Sequence, residues 1–197
     1  MNYPFRPMRP GLNLTRAGLV TLQDLQPEGC WDYQIKLDEE RAFLAEGRLY
    51  NRHGEPLSAA KAKMFDPIRI VAKKAFPNAW VVDLGLIGYR SDKLGHRGAA
   101  VVYDVVLGLN DALTWRDRST RFFSFPILSE DPRDNLPGNL YRLGHSIDGL
   151  ALYDAVCRRP GVEGVVGRRV DSRYQQEDSK AMLKARYDRH QTQTPKA

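Results

Sequence analysis

Strand-like apolar segments follow one another directly along this chain, with few helical segments between them. The segments AWVVDLGLIGYR and AAVVYDVVLGL are separated only by the polar turn SDKLGHRG, and GVEGVVGRRV precedes KAMLKARY. Antiparallel strands can be joined by short turns, whereas parallel strands need long crossover connections. The order of the segments therefore predicts an α+β fold with two packed, antiparallel-rich sheets and flanking helices.

Two segments carry the helical pattern. DPIRIVAKKAFP predicts a helix with Asp66 as the N-cap and Pro67 at its first position, and SIDGLALYDAVCRR predicts a helix capped by Ser146. The N-terminal segment, with prolines at positions 4, 7 and 10, predicts irregular structure. We expect residues 1–20 to form an irregular arm, residues 21–187 one domain, and residues 188–197 a flexible tail.

Composition and charge limit the classes of partner. No apolar stretch approaches the roughly 20 residues of a membrane span, and MNYPFRPMRPGLNLT has no apolar signal core. We therefore expect a cytoplasmic protein with no membrane partner. Cys30 and Cys157 lie far apart without CxxC or Cys/His spacing, which predicts reduced thiols rather than a disulfide or a zinc site. The net charge of +6 favours an anionic partner, with nucleic acid and nucleotides as the candidates.

A lysine lies inside the segment WDYQIKLDEERAFL, in which apolar and polar residues alternate. The period of two predicts a half-buried strand that turns Gln34, Lys36 and Asp38 to one face. A lysine becomes a nucleophile near neutral pH only where burial or neighbouring cations disfavour its charged form. A single lysine beside an acid is more often a solvated surface residue, and these residues alone favour that alternative.

Taken in order, KLDEER, VVDLGLIG, AVVYDVV, GVEGVV and SKAMLKAR resemble the motif series of the covalent nucleotidyltransferases, above all the adenylation domain of ATP-dependent DNA ligases. The resemblance spans about residues 30–187. It implies an ATP-grasp-like ligase core, here without an OB-fold domain, that uses ATP and Mg²⁺. Lys36, Asp38 and Arg41 match the family's KxDGxR motif, which implies that Lys36 attacks the α-phosphate, releases pyrophosphate and becomes lysyl-AMP.

The resemblance also implies roles for residues in the other motifs. Gln34 and its neighbour Ile35 would contact adenine, Tyr103 would stack on the base, and Arg52 would contact phosphate or ribose. Glu163 would place the metal, and Lys184 and Arg186 would neutralise the α-phosphate. Two alternatives stay open, because Tyr103 also fits a plain core aromatic and the C-terminal basic residues also fit a solvated face.

Two positions depart from the family pattern. The family has glycine where this chain has Glu39, and glutamate where this chain has Gly85. Asp83 lies two residues earlier on the same strand face and could replace the glutamate as a metal or ribose ligand. If Gly85 is a lost carboxylate, Gly85→Glu should raise adenylation.

The basic segment after EGVV predicts the nucleic-acid surface, with phosphate contacts from Arg168, Arg169 and Arg173. Three functions follow from the sequence. The first is a minimal ligase that transfers AMP from Lys36 to a 5′-phosphate of nicked duplex DNA, with RNA as the less favoured substrate. A protein partner or the N-terminal arm would then supply the surface of the OB-fold domain. The second is a catalytically reduced relative that binds nucleotide or nucleic acid without sealing. The third is an adapter protein whose motifs are coincidental.

Overall fold

The computed structural model describes residues 3–88, 98–108, 111–128, 138–157 and 159–187. Within these residues there are nine strands and five helices. The strands are β1 (Met8–Leu14), β2 (Trp31–Leu37), β3 (Glu40–Ala45), β4 (Arg48–Asn51), β5 (Val81–Ile87), β6 (Ala99–Val106), β7 (Leu140–Tyr141), β8 (Val162–Arg169) and β9 (Glu177–Arg186). The helices are α1 (Arg16–Leu25), α2 (Ala59–Met64), α3 (Asp66–Ala75), α4 (Trp115–Ser119) and α5 (Gly149–Val156).

The strands form two sheets, in which most neighbours are antiparallel. The four-stranded sheet has the order β1-β9-β8-β2, and only β1 runs parallel to its neighbour. The five-stranded sheet has the order β4-β3-β5-β6-β7, in which β6 and β7 are the parallel pair. The predicted α+β class with two antiparallel-rich sheets is thereby confirmed.

Helices cover both sheets, and the sheets meet at a shared interior. On the four-stranded sheet, Leu19 of α1 and Tyr153 of α5 join a buried cluster with Val165 and Leu183. On the five-stranded sheet, α3 contributes Ile68 to a second buried cluster, together with Phe65, Ala72, Val82 and Leu84. The sides of β2, β3, β6, β8 and β9 that face each other line a cavity. This cavity holds the strand face that carries Lys36.

The prediction of an irregular arm over residues 1–20 is wrong from residue 8 onward, whereas residues 3–7 have no regular secondary structure. Residues Met8–Leu14 form β1, which pairs with β9 from Met8 opposite Glu177 to Leu14 opposite Ala185. The register shifts between Pro10 and Leu12, since proline cannot donate to the ladder. The partner strand lies at the far end of the chain, so local sequence gives no sign of it. The predicted tail, residues 188–197, lies outside the described residues.

Both predicted helices are present, but their first residues differ from the prediction. Asp66 is the first residue of α3, which follows Phe65 at the N-cap. Asp148, and not Ser146, caps α5 by accepting a hydrogen bond from the backbone N–H of Ala151. The Ser146 hydroxyl instead accepts from the backbone N–H of Asp148, in the turn before the helix. No helix in the described ranges has the length and apolar character of a membrane span, and both cysteines are free.

Candidate active site

A β-bulge in β8 places a carboxylate beside Lys36. Lys36 pairs with Gly164, and the next residue of β2, Leu37, pairs with Val162. Glu163 is therefore the extra residue on β8, and a bulge of this kind redirects the side chain it carries. The Lys36 ammonium donates a hydrogen bond to Glu163 Oε2, and both side chains are largely but not fully buried.

Gly164 is the residue that permits this bulge. Its φ is 144°, in the region that side-chain-bearing residues rarely adopt. A Cβ built on it would lie 2.0 Å from the carbonyl oxygen of Ala185 on β9. The glycine of the EGVV motif thus holds β8 against β9 while Glu163 turns toward Lys36.

Two further cations lie beside this pair. Arg186 lies opposite Gly164 on β9, and its guanidinium is 3.5 Å from Glu163 Oε2. Lys184 lies opposite Val166, which in turn lies opposite Gln34. Burial lowers the pKa of Lys184, and the positive charges of Arg186 and Lys36 lower it further. The structure therefore brings together Lys36, Glu163, Lys184 and Arg186.

The Lys36 face opens into the cavity between the sheets. Tyr103 of β6 lies across this cavity from β2 and is 7% exposed. Ile35 borders the cavity while it also packs against the hydrophobic core. The cavity is lined by Pro10, Gln34, Ile35, Lys36, Glu39, Arg41, Tyr103, Val166, Arg168 and Met182.

Arg41 packs against the Tyr103 ring and forms a buried ion pair with Asp83. Its guanidinium carbon is 4.7 Å from the centre of the Tyr103 ring. Two of its nitrogens donate to the two oxygens of Asp83, both at 2.5 Å. Burial lowers the pKa of Arg41, but the charge and hydrogen bonds of Asp83 outweigh this effect and raise it. Arg41 therefore stays charged and supports the cavity wall.

The prediction that Asp83 is a metal ligand disagrees with the structure. Asp83 is fully buried, and besides both bonds from Arg41 its Oδ2 accepts from the Tyr174 hydroxyl at 3.2 Å. These bonds use three of its roughly four lone-pair sites, and the positive charge of Arg41 disfavours a second cation beside it. Among the described residues there is no group of three or more His, Cys, Asp or Glu that could hold a metal ion. Glu163, the carboxylate that is hydrogen-bonded to Lys36, fits an Mg²⁺ that is also bound by phosphates, because such an ion needs only one or two protein carboxylates.

Glu39 fills the space next to Gly85. A Cβ built on Gly85 would lie 2.7 Å from Glu39 Cγ and 2.6 Å from Cε2 of Tyr103. Glu39 and the Tyr103 hydroxyl are hydrogen-bonded. Burial raises the pKa of Glu39, although the charges of Lys36 and Arg41 oppose that rise. The expectation that Gly85→Glu raises adenylation fails on these distances, since the new side chain would collide with two cavity residues.

Gln34 is held by a chain of polar contacts that the sequence did not indicate. Its Oε1 accepts from Arg168 Nη1 at 3.0 Å, and its Nε2 lies 3.2 Å from His145 Nε2. His145 Nδ1 lies 2.6 Å from Asp32 Oδ2, which also accepts from Trp115 Nε1 at 2.6 Å. Asp32 lies on the same strand as Gln34, two residues earlier, which is the one sequence signal for this chain of contacts.

The prediction that Arg168 contacts nucleic acid is wrong, because the residue is buried. It is 3% exposed, and its guanidinium carbon lies 4.3 Å from the centre of the Trp115 ring. Burial lowers its pKa, and its Nε has no hydrogen-bond partner among the described residues. Arg168 therefore belongs to the cavity wall and not to an exposed surface.

The remaining predicted residues lie away from the cavity. Arg169 and Arg173 are exposed, and Arg169 is paired with Asp171 at 2.9 Å. Arg52 is exposed in the turn after β4, where its Nε lies 3.0 Å from His53 Nε2. Asp38 follows the end of β2, and its backbone N–H donates to the carbonyl of Gly161 at 2.8 Å. Arg52, Arg169 and Arg173 are thus exposed residues outside the cavity lining, whereas Asp38 follows Lys36 by two residues.

No protein-family model and no curated protein sequence matches the chain. Solved structures do. The ligase domain of LigD from M. tuberculosis aligns with a TM-score of 0.59 and 19% identity, over 92% of this chain and 59% of that one. A mycobacterial DNA ligase D complexed with ATP and MES gives 0.59 and 20%, over 93% and 60%.

A viral structure gives a similar result. Chlorella virus DNA ligase-adenylate aligns with a TM-score of 0.58 and 14% identity, over 92% of this chain and 68% of that one. The chain thus spans about three fifths of the length of the two mycobacterial structures. At these identities the likeness is one of fold.

Proposed function

We propose that this chain, which has the fold of the nucleotidyltransferase domain of ATP-dependent DNA ligases, is a ligase-type adenylyltransferase that forms lysyl-AMP at Lys36. The observation that carries the proposal is the contact of the Lys36 ammonium with Glu163, next to Lys184 and Arg186 and at the edge of a cavity lined by Tyr103. An isolated surface lysine would not have this arrangement.

The residues of the site match the parts of ATP. Tyr103 offers an aromatic platform for adenine, and Arg168, whose guanidinium only donates hydrogen bonds, lines the same cavity. Both polar atoms of the Gln34 amide already have protein partners, so Gln34 positions Arg168 as well as facing the base. Lys184 and Arg186 lie where they would offset negative charge on the α-phosphate.

Adenylation at Lys36 needs a neutral amine and a good leaving group. Glu163 accepts a hydrogen bond from the ammonium and is positioned to take its proton. The lysine nitrogen then forms a bond to the α-phosphorus, while the bond to the bridging oxygen breaks and pyrophosphate leaves with the electron pair. Mg²⁺ on the triphosphate would neutralise charge on the leaving group, with Glu163 as its nearby protein carboxylate.

The second half-reaction is part of the same proposal. An oxygen of a nucleic-acid 5′-phosphate would attack the phosphorus of the lysine-bound AMP. The P–N bond would break, and the Lys36 amine would leave and take up a proton, which regenerates Lys36. Nicked duplex DNA is the proposed substrate, because the KxDxxR pattern ending at Arg41 and the run from EGVV through DSRY to MLKAR resemble DNA ligases more than RNA ligases. A protein partner with an OB-fold-like surface would close over the duplex.

Incubation with α-³²P-labelled ATP and Mg²⁺, followed by denaturing electrophoresis, tests the proposal. The protein should retain an acid-labile label, and Lys36→Ala should retain none, because no other group replaces the nucleophile. Lys74→Ala, an exposed lysine on α3, is the control and should label normally. A label that persists in Lys36→Ala would exclude Lys36 as the nucleophile.

A second candidate function is nucleotide binding without transfer. Gly85 favours it, because the family's glutamate is absent from that strand. Under this alternative the protein would bind ATP at equilibrium and yet form no labelled adduct, so the same experiment with a binding measurement separates the two functions.

A further inference from the structure

We propose that Glu39 recognises the sugar hydroxyls of the bound nucleotide, and that Gly85 is what makes room for it. The inference rests on the proposed function, since it takes the cavity to be a nucleotide site. The departures from the family pattern at positions 39 and 85 are then a single exchange, in which a carboxylate enters the same space from a neighbouring strand.

The packing around Gly85 supports this exchange. Arg41 pairs with Gly85 across β3 and β5, and Glu39 stands just before β3 at the end of that pairing. A Cβ on residue 85 would lie within 2.7 Å of Glu39 Cγ and 2.8 Å of the Tyr103 hydroxyl oxygen. Real Cβ atoms do not approach other atoms so closely. A side chain at position 85 and the present placement of Glu39 therefore exclude each other.

Glu39 lies between the two ends of the proposed nucleotide site. On one side it is hydrogen-bonded to Tyr103, the platform for the base. On the other side it interacts electrostatically with Lys36, the group that attacks the α-phosphate. In a nucleotide the sugar lies between the base and the α-phosphate. The group between Tyr103 and Lys36 therefore faces the sugar.

The chemistry of the carboxylate fits this position. An ionised carboxylate only accepts hydrogen bonds, and its two oxygens offer about four lone-pair sites. The Tyr103 hydroxyl uses one of them, because burial and the Glu39 charge hold the pKa of Tyr103 well above its ordinary value and keep its proton in place. The 2′- and 3′-hydroxyls of ribose are donors that match the remaining sites. Glu39 also lines the cavity directly.

The test compares equilibrium binding of ATP and 2′,3′-dideoxy-ATP, measured by calorimetry without divalent metal so that no transfer occurs. The unsubstituted protein should prefer ATP by about 10- to 100-fold, the range for a hydrogen bond to a charged group. Glu39→Ala should lower that preference to less than about threefold by weakening ATP alone. Glu40→Gln is the matched control, because Glu40 is the next residue but pairs with Lys61 outside the cavity lining.

A purely structural role of Glu39 gives a different result. If Glu39 only supports Tyr103, Glu39→Ala should weaken ATP and the dideoxynucleotide equally, and the proposal would be overturned. The proposal would also be overturned if Glu39→Ala changed the affinity for neither nucleotide. The exchange itself is tested by Gly85→Glu, which should lower the melting temperature when Glu39 is present and lower it less when combined with Glu39→Gly.

The outcome for this inference can be separated from the outcome for the proposed function. If the unsubstituted protein forms lysyl-AMP while Glu39→Ala keeps the ribose preference, the proposed function stands and Glu39 has no role in sugar recognition. If Glu39→Ala loses the preference but no lysyl-AMP forms, the sugar site stands and the proposed transfer fails. If the unsubstituted protein binds no ATP, both are overturned.

Discussion

The molecule contains two groups of charged residues that differ in how their charges are balanced. The open group, beside the cavity, has three cations and one carboxylate among the described residues: Lys36, Lys184, Arg186 and Glu163. The buried group, between the sheets, pairs Asp104 with Arg118 and Asp83 with Arg41, and the buried Arg168 interacts with the charges of both pairs. The buried ion pairs stabilise one arrangement of the sheets, whereas the cations at the open face can interact with an anion.

Exposure separates the Asp104–Arg118 pair from the open group, whereas Arg41 is 19% exposed, as Lys36 is. The side chains of Arg118 and Asp104 are 0% and 1% exposed, and those of Lys36 and Arg186 are 19% and 60% exposed. Arg118 also donates to the Leu113 carbonyl at 2.7 Å, so the buried guanidinium is bonded on several sides. Removing a partner should therefore affect stability in the buried group and chemistry in the open group.

The largest expected effect is in the buried group. Arg118→Met should lower the free energy of unfolding by about 3–5 kcal/mol, because it leaves the Asp104 carboxylate buried without its counter-charge. Urea unfolding measures this change. Arg16→Met, which breaks the exposed pair with Asp154, is the control and should cost less than about 1 kcal/mol. Equal costs in the two variants would remove the distinction between buried and open charge.

An intermediate effect is expected at Lys184. Lys184→Gln should slow formation of the adduct by about 100-fold, the usual loss for one group that stabilises developing negative charge. Stability at pH 7 should not fall, because the pKa of Lys184 is lowered in the folded protein, first by burial and then by Arg186 and Lys36. Lys180→Gln, at an exposed position of the same strand, should leave the adduct rate unchanged.

The sign of the pH dependence follows from that lowered pKa. Between the folded-state pKa and the unfolded value of about 10.4, the unfolded chain binds more protons at this site than the folded protein does. The contribution of Lys184 to stability is thus fully present above about pH 10.4 and is lost as the pH falls through the folded-state pKa. The free energy of unfolding should be measured for both proteins at pH 7 and at pH 11. Between pH 7 and pH 11, that of the unsubstituted protein should rise relative to that of Lys184→Gln. A gain in the opposite direction would contradict the environment described for Lys184.

The smallest effect is expected at the exposed arginines. Arg169→Ala together with Arg173→Ala should weaken binding to nicked duplex DNA and flatten the plot of log affinity against log salt by roughly one unit per lost phosphate contact. Fluorescence anisotropy at several salt concentrations measures both. Arg48→Ala, an exposed arginine on the other sheet, should keep the original slope. An unchanged slope in the double variant would make Arg169 and Arg173 merely solvated.

The sequence predicts the strands well, because alternation and apolar runs are local properties. It identifies the residues near Lys36 through the order of motifs. It misses the bulge at Glu163, since a bulge depends on the register between β2 and β8. The burial of one of the two arginines Arg168 and Arg169 could have been predicted from the sequence. Neighbouring residues on a strand point to opposite faces, so the two could not both face solvent.

The relation between positions 39 and 85 was beyond local analysis. In the sequence, Glu39 and Gly85 look like two independent losses. They become one exchange only when the pairing of Arg41 with Gly85 brings them to the same place. His145 likewise meets Gln34 through tertiary contacts, as the residues lie on segments far apart in the chain.

The pairing of β1 with β9 has a consequence for when the candidate site forms during synthesis. Met8 and Leu14 cannot find Glu177 and Ala185 until nearly all of the described chain has been made. Contacts between such distant segments form late and slowly, because the chain loses the entropy of closing a long loop before the contacts stabilise it. Until β1 pairs with it, β9, which carries Lys184 and Arg186, has β8 as its single partner among the described strands. The cationic half of the site should therefore be the last part to become ordered as the chain leaves the ribosome.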